Sequence, residues 1–87
     1  MDKIRLMHLE DSPIIAKLVK EMLTSGTDLS VEIEHFILIK EGLERLAKGG
    51  IDIVLTDLQL PDSDGLNTFY KIYAEAPDVP SDHDRHI

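Results

Sequence analysis

The stretch that decides the fold is Ile51-Asp52-Ile53-Val54-Leu55-Thr56-Asp57. Most of its apolar residues are β-branched, and a short apolar run of this kind predicts a strand buried on both faces, as in a parallel sheet. The strand is predicted over residues 51–56, and Asp57 follows it directly. The following segment, 58–65, is rich in proline, aspartate and glycine and predicts a loop. An acidic side chain is therefore expected where a buried strand meets a loop.

Further strands and amphipathic helices alternate with this one along the chain. Strands are predicted over residues 4–9 and 31–38, and the second of these suits a sheet edge because its glutamates alternate with apolar residues. Helices are predicted from Pro13 to a stop at Ser25-Gly26-Thr27, over about residues 39–48, and from Leu66 to just before Pro77. The order βαβαβα predicts an α/β fold with parallel strands and right-handed crossovers.

Several aromatic and histidine side chains fall at positions expected in the core. Phe69, Tyr70 and Tyr73 lie on the apolar face of the third helix, where they indicate core packing rather than a ligand-binding cluster. His8 lies within the first strand. We expect it to be a packed or hydrogen-bonded core histidine, and the alternative is a neighbour of a metal site.

Composition excludes several classes of protein. The absence of cysteine rules out a disulfide scaffold and a thiolate metal site. The 9 Lys and Arg residues against 17 Asp and Glu residues give a net charge of −8, which argues against binding nucleic acid because phosphates repel such a surface. No apolar run approaches the ~18 residues of a membrane span. A cytoplasmic protein that binds neither membrane nor nucleic acid is expected.

Three carboxylates follow two of the predicted strands. Glu10 and Asp11 come after the first strand, and Asp57 comes after the third. Ligands of parallel sheets gather beyond the carboxyl ends of the strands, so these groups could converge on one Mg²⁺ ion. Asp11 alone could instead cap the following helix, as could Ser12. With a metal beside it, Asp57 could act as a nucleophile toward a phosphoryl group and form an aspartyl phosphate.

Two motifs and their spacing resemble a known family. Leu-Glu-Asp-Ser stands at 9–12, and Leu-Thr-Asp-Leu-Gln-Leu-Pro-Asp-Ser-Asp-Gly-Leu stands at 55–66. The stretch 41–54 between them reads as a helix, a Gly-Gly stop and a strand. Together they resemble a two-component response-regulator receiver domain, over about residues 3–80. The resemblance implies a flavodoxin-like parallel sheet in which the first three strands have the order 2-1-3.

The resemblance also implies roles for individual residues. Glu10 and Asp11 would help bind Mg²⁺, Asp57 would be the phosphoacceptor and a metal ligand, and the backbone carbonyl of Gln59 would be a further ligand. The expected partner is a sensor histidine kinase. The chain is then a phosphoacceptor protein rather than an enzyme, with at most residual self-phosphorylation and dephosphorylation.

The sequence departs from the family pattern after its third β/α unit. Receiver domains have five such units, whereas here residues 1–80 resemble the N-terminal part and 81–87 form a polar tail, expected to be disordered or unrelated to the family. The tail residues Asp82, His83, Asp84 and His86 are interpreted as a frayed terminus rather than a metal cluster. The Thr or Ser and the Lys that contact the phosphoryl group in the family are absent, so impaired phosphorylation is expected.

Ending the sheet at the third strand would leave that strand at an edge. An open apolar edge is a template for pairing with another chain, so we expect self-association, most simply as a two-fold dimer joined through the third strands. Two function classes stay open from the sequence. The chain is either a phosphoacceptor signalling module, or a truncated, self-assembling half-domain whose acidic site is vestigial. A fragment with an unrelated tail is a further alternative.

Overall fold

A computed structural model describes residues 3–25 and 30–83 of the chain. The elements follow one another as β1 (Ile4–Leu9), α1 (Pro13–Thr24), β2 (Val31–Phe36), α2 (Ile39–Ala47), β3 (Ile53–Thr56), β4 (Gln59–Leu60), β5 (Ser63–Asp64), α3 (Gly65–Glu75) and β6 (Ser81–His83). The three long helices and the first three strands lie where the sequence predicts them, with bounds that differ by two residues or fewer. The predicted loop 58–65 additionally contains the small antiparallel hairpin β4–β5.

Four parallel strands form the main sheet in the order β2-β1-β3-β6. The predicted parallel order 2-1-3 is confirmed, and β2 lies at an edge as expected. Leu9 at the end of β1 is aligned with Phe36 of β2 on one side and with Thr56 of β3 on the other. The three strands therefore end at the same level, and the residues that follow them are brought to one edge of the sheet.

The expected position of β3 at the sheet edge is wrong. Ser81–His83, predicted to be part of a polar tail outside the sheet, forms β6 and pairs with Val54–Thr56 of β3. The backbone N–H of Val54 also donates to the Pro80 carbonyl at 2.9 Å. Polar residues are compatible with this position because ladder hydrogen bonds involve only the backbone and an edge strand has one side open to solvent. Residues 84–87, the rest of the predicted tail, lie outside the described residues.

The core lies between the central strands and the helices α2 and α3. Its fully buried members include Met7 and Leu9 from β1, Val54 from β3 and Ile72 from α3. Helix α2 approaches β1 closely at Gly42, where an added Cβ would lie 2.8 Å from a methyl group of the buried Leu9. A larger residue at this position would displace α2 from the sheet, because the side chain beneath it is part of the packed core.

The outer faces of α1 and α3 differ from the expectation of a fully packed apolar face. Tyr70 and Tyr73, expected in the core, are 65% and 66% exposed, while Phe69 is half-buried. On α1, Leu18 and Met22 are also exposed. The helical periodicity identifies an apolar stripe on each helix, but part of that stripe is exposed to solvent in the structure. Among the described residues, no helix has the length and apolar character needed to cross a membrane.

Candidate functional site

The three predicted metal-ligating carboxylates meet at the carboxyl edge of the sheet. Glu10 follows β1 and Asp57 follows β3, and the N–H of Asp57 donates to the Leu9 carbonyl at 2.8 Å, which joins the two strand ends. One carboxylate oxygen from each of Glu10, Asp11 and Asp57 lies within 4.8 Å of the others. Glu10 and Asp57 are fully buried, whereas Asp11 is exposed. The cluster thus has a buried base and one side that faces solvent.

The donor set of this cluster fits a magnesium ion. Mg²⁺ prefers hard oxygen ligands, is commonly held by one or two carboxylates, and keeps several of its waters. Three carboxylates at this spacing repel one another, and two of them lie in a low-dielectric environment where a divalent charge has its greatest effect. The open side at Asp11 leaves room for water and for an incoming group. The residues present therefore suit Mg²⁺ better than a soft metal, which would require thiolate or imidazole ligands.

The loop after β3 holds the Asp57 carboxylate in one orientation. The backbone N–H of Gln59 donates to Oδ1 of Asp57 at 3.0 Å, and the Thr56 hydroxyl donates to the Asp57 carbonyl at 2.8 Å. Gln59 is predicted to contribute its backbone carbonyl oxygen to the metal. In the structure its backbone N–H contacts Asp57, so the residue lies beside the acidic cluster. The role of its carbonyl stays a prediction.

Helix α3 fixes the far side of the same loop. The hydroxyl of the buried Thr68 hydrogen-bonds the Ser63 hydroxyl at 2.9 Å and donates to the Leu58 carbonyl at 3.3 Å. Gly65, where the loop enters α3, has φ +54°, a left-handed conformation that favours glycine over other residues. The loop is therefore anchored both at Asp57 and at α3.

Ser12, rather than Asp11, caps helix α1. Its hydroxyl accepts a hydrogen bond from the Ile15 N–H at 3.3 Å, the usual N-cap geometry, and Pro13 occupies the first helical position. The Ser12 N–H also donates to the Glu10 carboxylate at 3.3 Å. Ser12 therefore caps the helix, and Asp11 belongs to the acidic cluster instead.

Two residues that support the site were missed by sequence reasoning. Nε2 of His35, in β2, donates to the backbone carbonyl of Glu10 at 2.7 Å, and its ring centroid lies 5.9 Å from that of the buried His8. Asp62, in the β4–β5 turn, accepts hydrogen bonds from the first residues of α2. His35 could have been found only from the strand register, which aligns it with His8. The cap that Asp62 provides for α2 has no local sequence signature, because it comes from a distant loop.

Comparison with known proteins identifies the family to which the chain is similar. The family model described as response regulator receiver domain matches residues 6–81. A protein-glutamate methylesterase/protein-glutamine glutaminase from Methanosarcina barkeri is 36% identical over 74 residues, which cover 85% of this chain and 20% of that protein. The regulatory protein LuxO of Vibrio cholerae is 31% identical over 72 residues, which cover 83% of this chain and 15% of LuxO. The chain spans only about a fifth of the curated relatives it matches.

Solved structures share the fold. The response regulator MaeR, bound to beryllium trifluoride, superposes with a TM-score of 0.80 at 20% identity, covering 93% of this chain and 66% of MaeR. The non-phosphorylated HemR receiver domain of Leptospira biflexa gives 0.75 at 25% identity, covering 92% of this chain and 62% of that domain. The family match extends over most of the chain and includes both acidic motifs. This chain belongs to the response regulator receiver domain family of two-component signal transduction.

Proposed function

We propose that this chain is a magnesium-dependent phosphoacceptor, with Asp57 receiving the phosphoryl group. The observation that carries the proposal is the placement of Asp57. It is fully buried at the end of β3, one carboxylate oxygen is held by the Gln59 N–H, and carboxylate oxygens of Glu10 and Asp11 lie within 4.8 Å. A carboxylate in this setting is oriented before the phosphoryl donor arrives.

The chemical step is a substitution at phosphorus. The nucleophile is a carboxylate oxygen of Asp57, and the Gln59 N–H holds this carboxylate through Oδ1. A bond forms between the attacking oxygen and phosphorus, and the bond from phosphorus to the donor atom breaks, so the donor leaves with that electron pair. Glu10, Asp11, Asp57 and the Gln59 carbonyl would hold the Mg²⁺ ion. When bound, that ion would offset the negative charge of the carboxylates and of the transferring phosphoryl group.

The partner and the location of the protein follow from this role. A sensor histidine kinase is the proposed donor, and the cytoplasm is the proposed compartment. In this role the chain is an acceptor rather than an enzyme, with slow self-phosphorylation from small donors and slow hydrolysis of the product. Because the chain covers 62–66% of the MaeR and HemR chains, we expect the 87 residues alone to react more slowly than a complete receiver domain.

Labelling by acetyl phosphate tests the proposal. With Mg²⁺ present, intact-mass spectrometry should show one added phosphoryl group on the wild type and none on Asp57→Asn. Asp64→Asn is the matched control, since Asp64 is an exposed aspartate in the same loop, and it should label like the wild type. Equal labelling of Asp57→Asn and the wild type would contradict the proposal. An unlabelled wild type would favour the alternative, a self-assembling half-domain with a vestigial site.

We propose a homodimer as a second property, through β6 rather than β3. Among the described residues, β6 is the edge strand opposite β2, and it adjoins a cavity of about 230 Å³ lined by Phe69, Tyr70, Tyr73 and Ser81. Pairing of two β6 strands about a two-fold axis would extend the ladder and cover the exposed rings. Light scattering should give twice the chain mass, and Tyr70→Glu should lower it to one chain mass. A folded wild-type monomer at high concentration would contradict the dimer.

A further inference from the structure

Helix α2 receives its N-terminal cap from the phosphoacceptor loop. Leu38 occupies the N-cap position and its side chain makes no capping hydrogen bond. The Asp62 carboxylate instead accepts the N–H of Ile39 at 2.8 Å through Oδ1 and the N–H of Lys40 at 3.1 Å through Oδ2. The first two amides of the helix are thus satisfied by a residue more than twenty positions along the chain.

Asp62 also lies in the turn that leads back to Asp57. It lies between β4 and β5, and Gln59 in β4 is the residue whose N–H holds Oδ1 of Asp57. The hairpin is short, because Pro61 and Asp62 are the only residues between its strands. The loop therefore connects the acidic cluster, through Gln59 and Asp62, to the first turn of α2.

The charge of Asp62 suits this connection. Burial raises the pKa of the Asp62 carboxyl group. Hydrogen bonds from the Ile39 and Lys40 amides and from its own N–H, together with the charge of Lys71, lower the pKa by more than burial raises it. The pKa therefore lies below its ordinary value. The group is ionised at neutral pH and faces the positive end of the helix dipole. Helix α2 is a firm support, because Gly42 brings it into close contact with the buried Leu9.

We propose that Asp62 is a positioning residue for the phosphoacceptor site: by fixing the β4–β5 hairpin to α2, it holds the Gln59 backbone in place against Asp57. The expected effect of Asp62 on metal binding rests on the proposed function, in which the Gln59 carbonyl is a metal ligand. Its structural part, the link from Asp62 to Gln59, does not depend on whether a metal binds. By linkage, metal binding and the α2 cap then strengthen each other.

Hydrogen exchange in the metal-free protein tests the structural part. Asp62→Ala should speed exchange about tenfold at the Ile39 and Lys40 amides, as expected for a lost cap, and also at the Gln59 amide. The matched control is Asp64→Ala, which removes an exposed aspartate from the same hairpin that makes no capping hydrogen bond, and it should leave all three amides within twofold of the wild type. The Met7 amide in β1 should be unchanged in both variants, which separates local opening from global unfolding.

Magnesium titration by calorimetry tests the consequence. Asp62→Ala should bind Mg²⁺ about five- to tenfold more weakly than the wild type, and Asp62→Asn, which keeps an acceptor oxygen for the cap, should recover most of the affinity. Faster exchange at Ile39 and Lys40 with an unchanged Gln59 amide would overturn the inference, because Asp62 would then be a helix cap alone. Failure of the wild type to bind Mg²⁺ would contradict the proposed function, and the Gln59 amide would still decide the role of Asp62.

Discussion

Two groups of carboxylates in this chain have opposite surroundings. The strand-end carboxylates, Glu10, Asp11 and Asp57, lie close together at the edge of the sheet. The donor-bound carboxylates, Glu34 and Asp62, each face positive partners on α2. Glu34 receives two hydrogen bonds from Arg45, at 2.7 and 3.1 Å, and Asp62 receives the two helix amides. The first group brings three carboxylates close together, with backbone N–H donors on Glu10 and Asp57, whereas each carboxylate of the second group lies against donors of α2.

The difference separates a site from a support. A carboxylate held by donors stabilises the fold in its ionised form, and both donor-bound carboxylates do so by securing α2. The proposed role of the three clustered carboxylates is different: their spacing suits a cation held beside an incoming electrophile. The two groups should therefore respond differently to metal, mutation and acid.

Magnesium should produce the largest effect, through the strand-end carboxylates. An ion that binds only the folded state at 100 times its dissociation constant adds about 2.7 kcal/mol to the free energy of unfolding. Thermal unfolding followed by circular dichroism should show a clear rise in Tm for the wild type and a much smaller rise for Asp57→Asn. Equal rises in both proteins, or the same rise with NaCl at matched ionic strength, would show that the ion acts on the general acidic surface.

Removing the partner of Glu34 should have a moderate effect. Arg45→Met should lower the free energy of unfolding by about 1 kcal/mol, since the pair is bidentate and only partly exposed. Arg5→Met is the control, because the Arg5–Glu32 pair is longer, at 3.9 Å, and more exposed, and it should change stability by less than about 0.5 kcal/mol. Urea unfolding measures both. A larger loss in Arg5→Met than in Arg45→Met would contradict the stated role of the α2 pair.

Acid should produce the smallest effect, through the same pair. The Arg45 hydrogen bond lowers the pKa of Glu34 below its ordinary value of 4.5, despite partial burial, which acts in the opposite direction. A depressed folded-state pKa contributes stability that is complete above pH 4.5 and is lost as the pH falls through the folded-state value. The stability difference between the wild type and Glu34→Gln should therefore shrink as the pH falls below 4.5. A difference that grows on acidification would have the wrong sign.

The sequence was sufficient for the features that depend on local pattern. Apolar periodicity placed the helices and the first three strands, and the positions of Glu10, Asp11 and Asp57 after two parallel strands predicted their convergence. Asp57 is identified because it directly follows the third predicted strand, at the edge where ligands of parallel sheets gather, and because the motif at 55–66 resembles the receiver family. Each of these signals lies within a few residues of the feature it predicts.

Features that depend on tertiary contacts could not be predicted. Ser81–His83 is polar, and only the unpaired edge of β3 makes it a strand. The cap of α2 comes from Asp62 in another loop, and the exposure of Tyr70 and Tyr73 depends on what lies beside α3 rather than on the helix itself. The expected open edge at β3 is wrong for the same reason. A sequence pattern indicates the secondary structure that a segment favours, but it does not indicate which sheet edge that segment can pair with.

The Gln59 amide gives the most direct test of the central claim, that the strand-end carboxylates form one magnesium site around Asp57. Its N–H donates to Asp57, so its NMR resonance reports the site itself. On titration with Mg²⁺, the amide resonances of Gln59 and Asp57 should shift saturably with one-to-one stoichiometry, and the Gln59 shift should vanish in Asp57→Asn. Small, unsaturable shifts spread over the acidic surface, with Gln59 unaffected, would contradict the account.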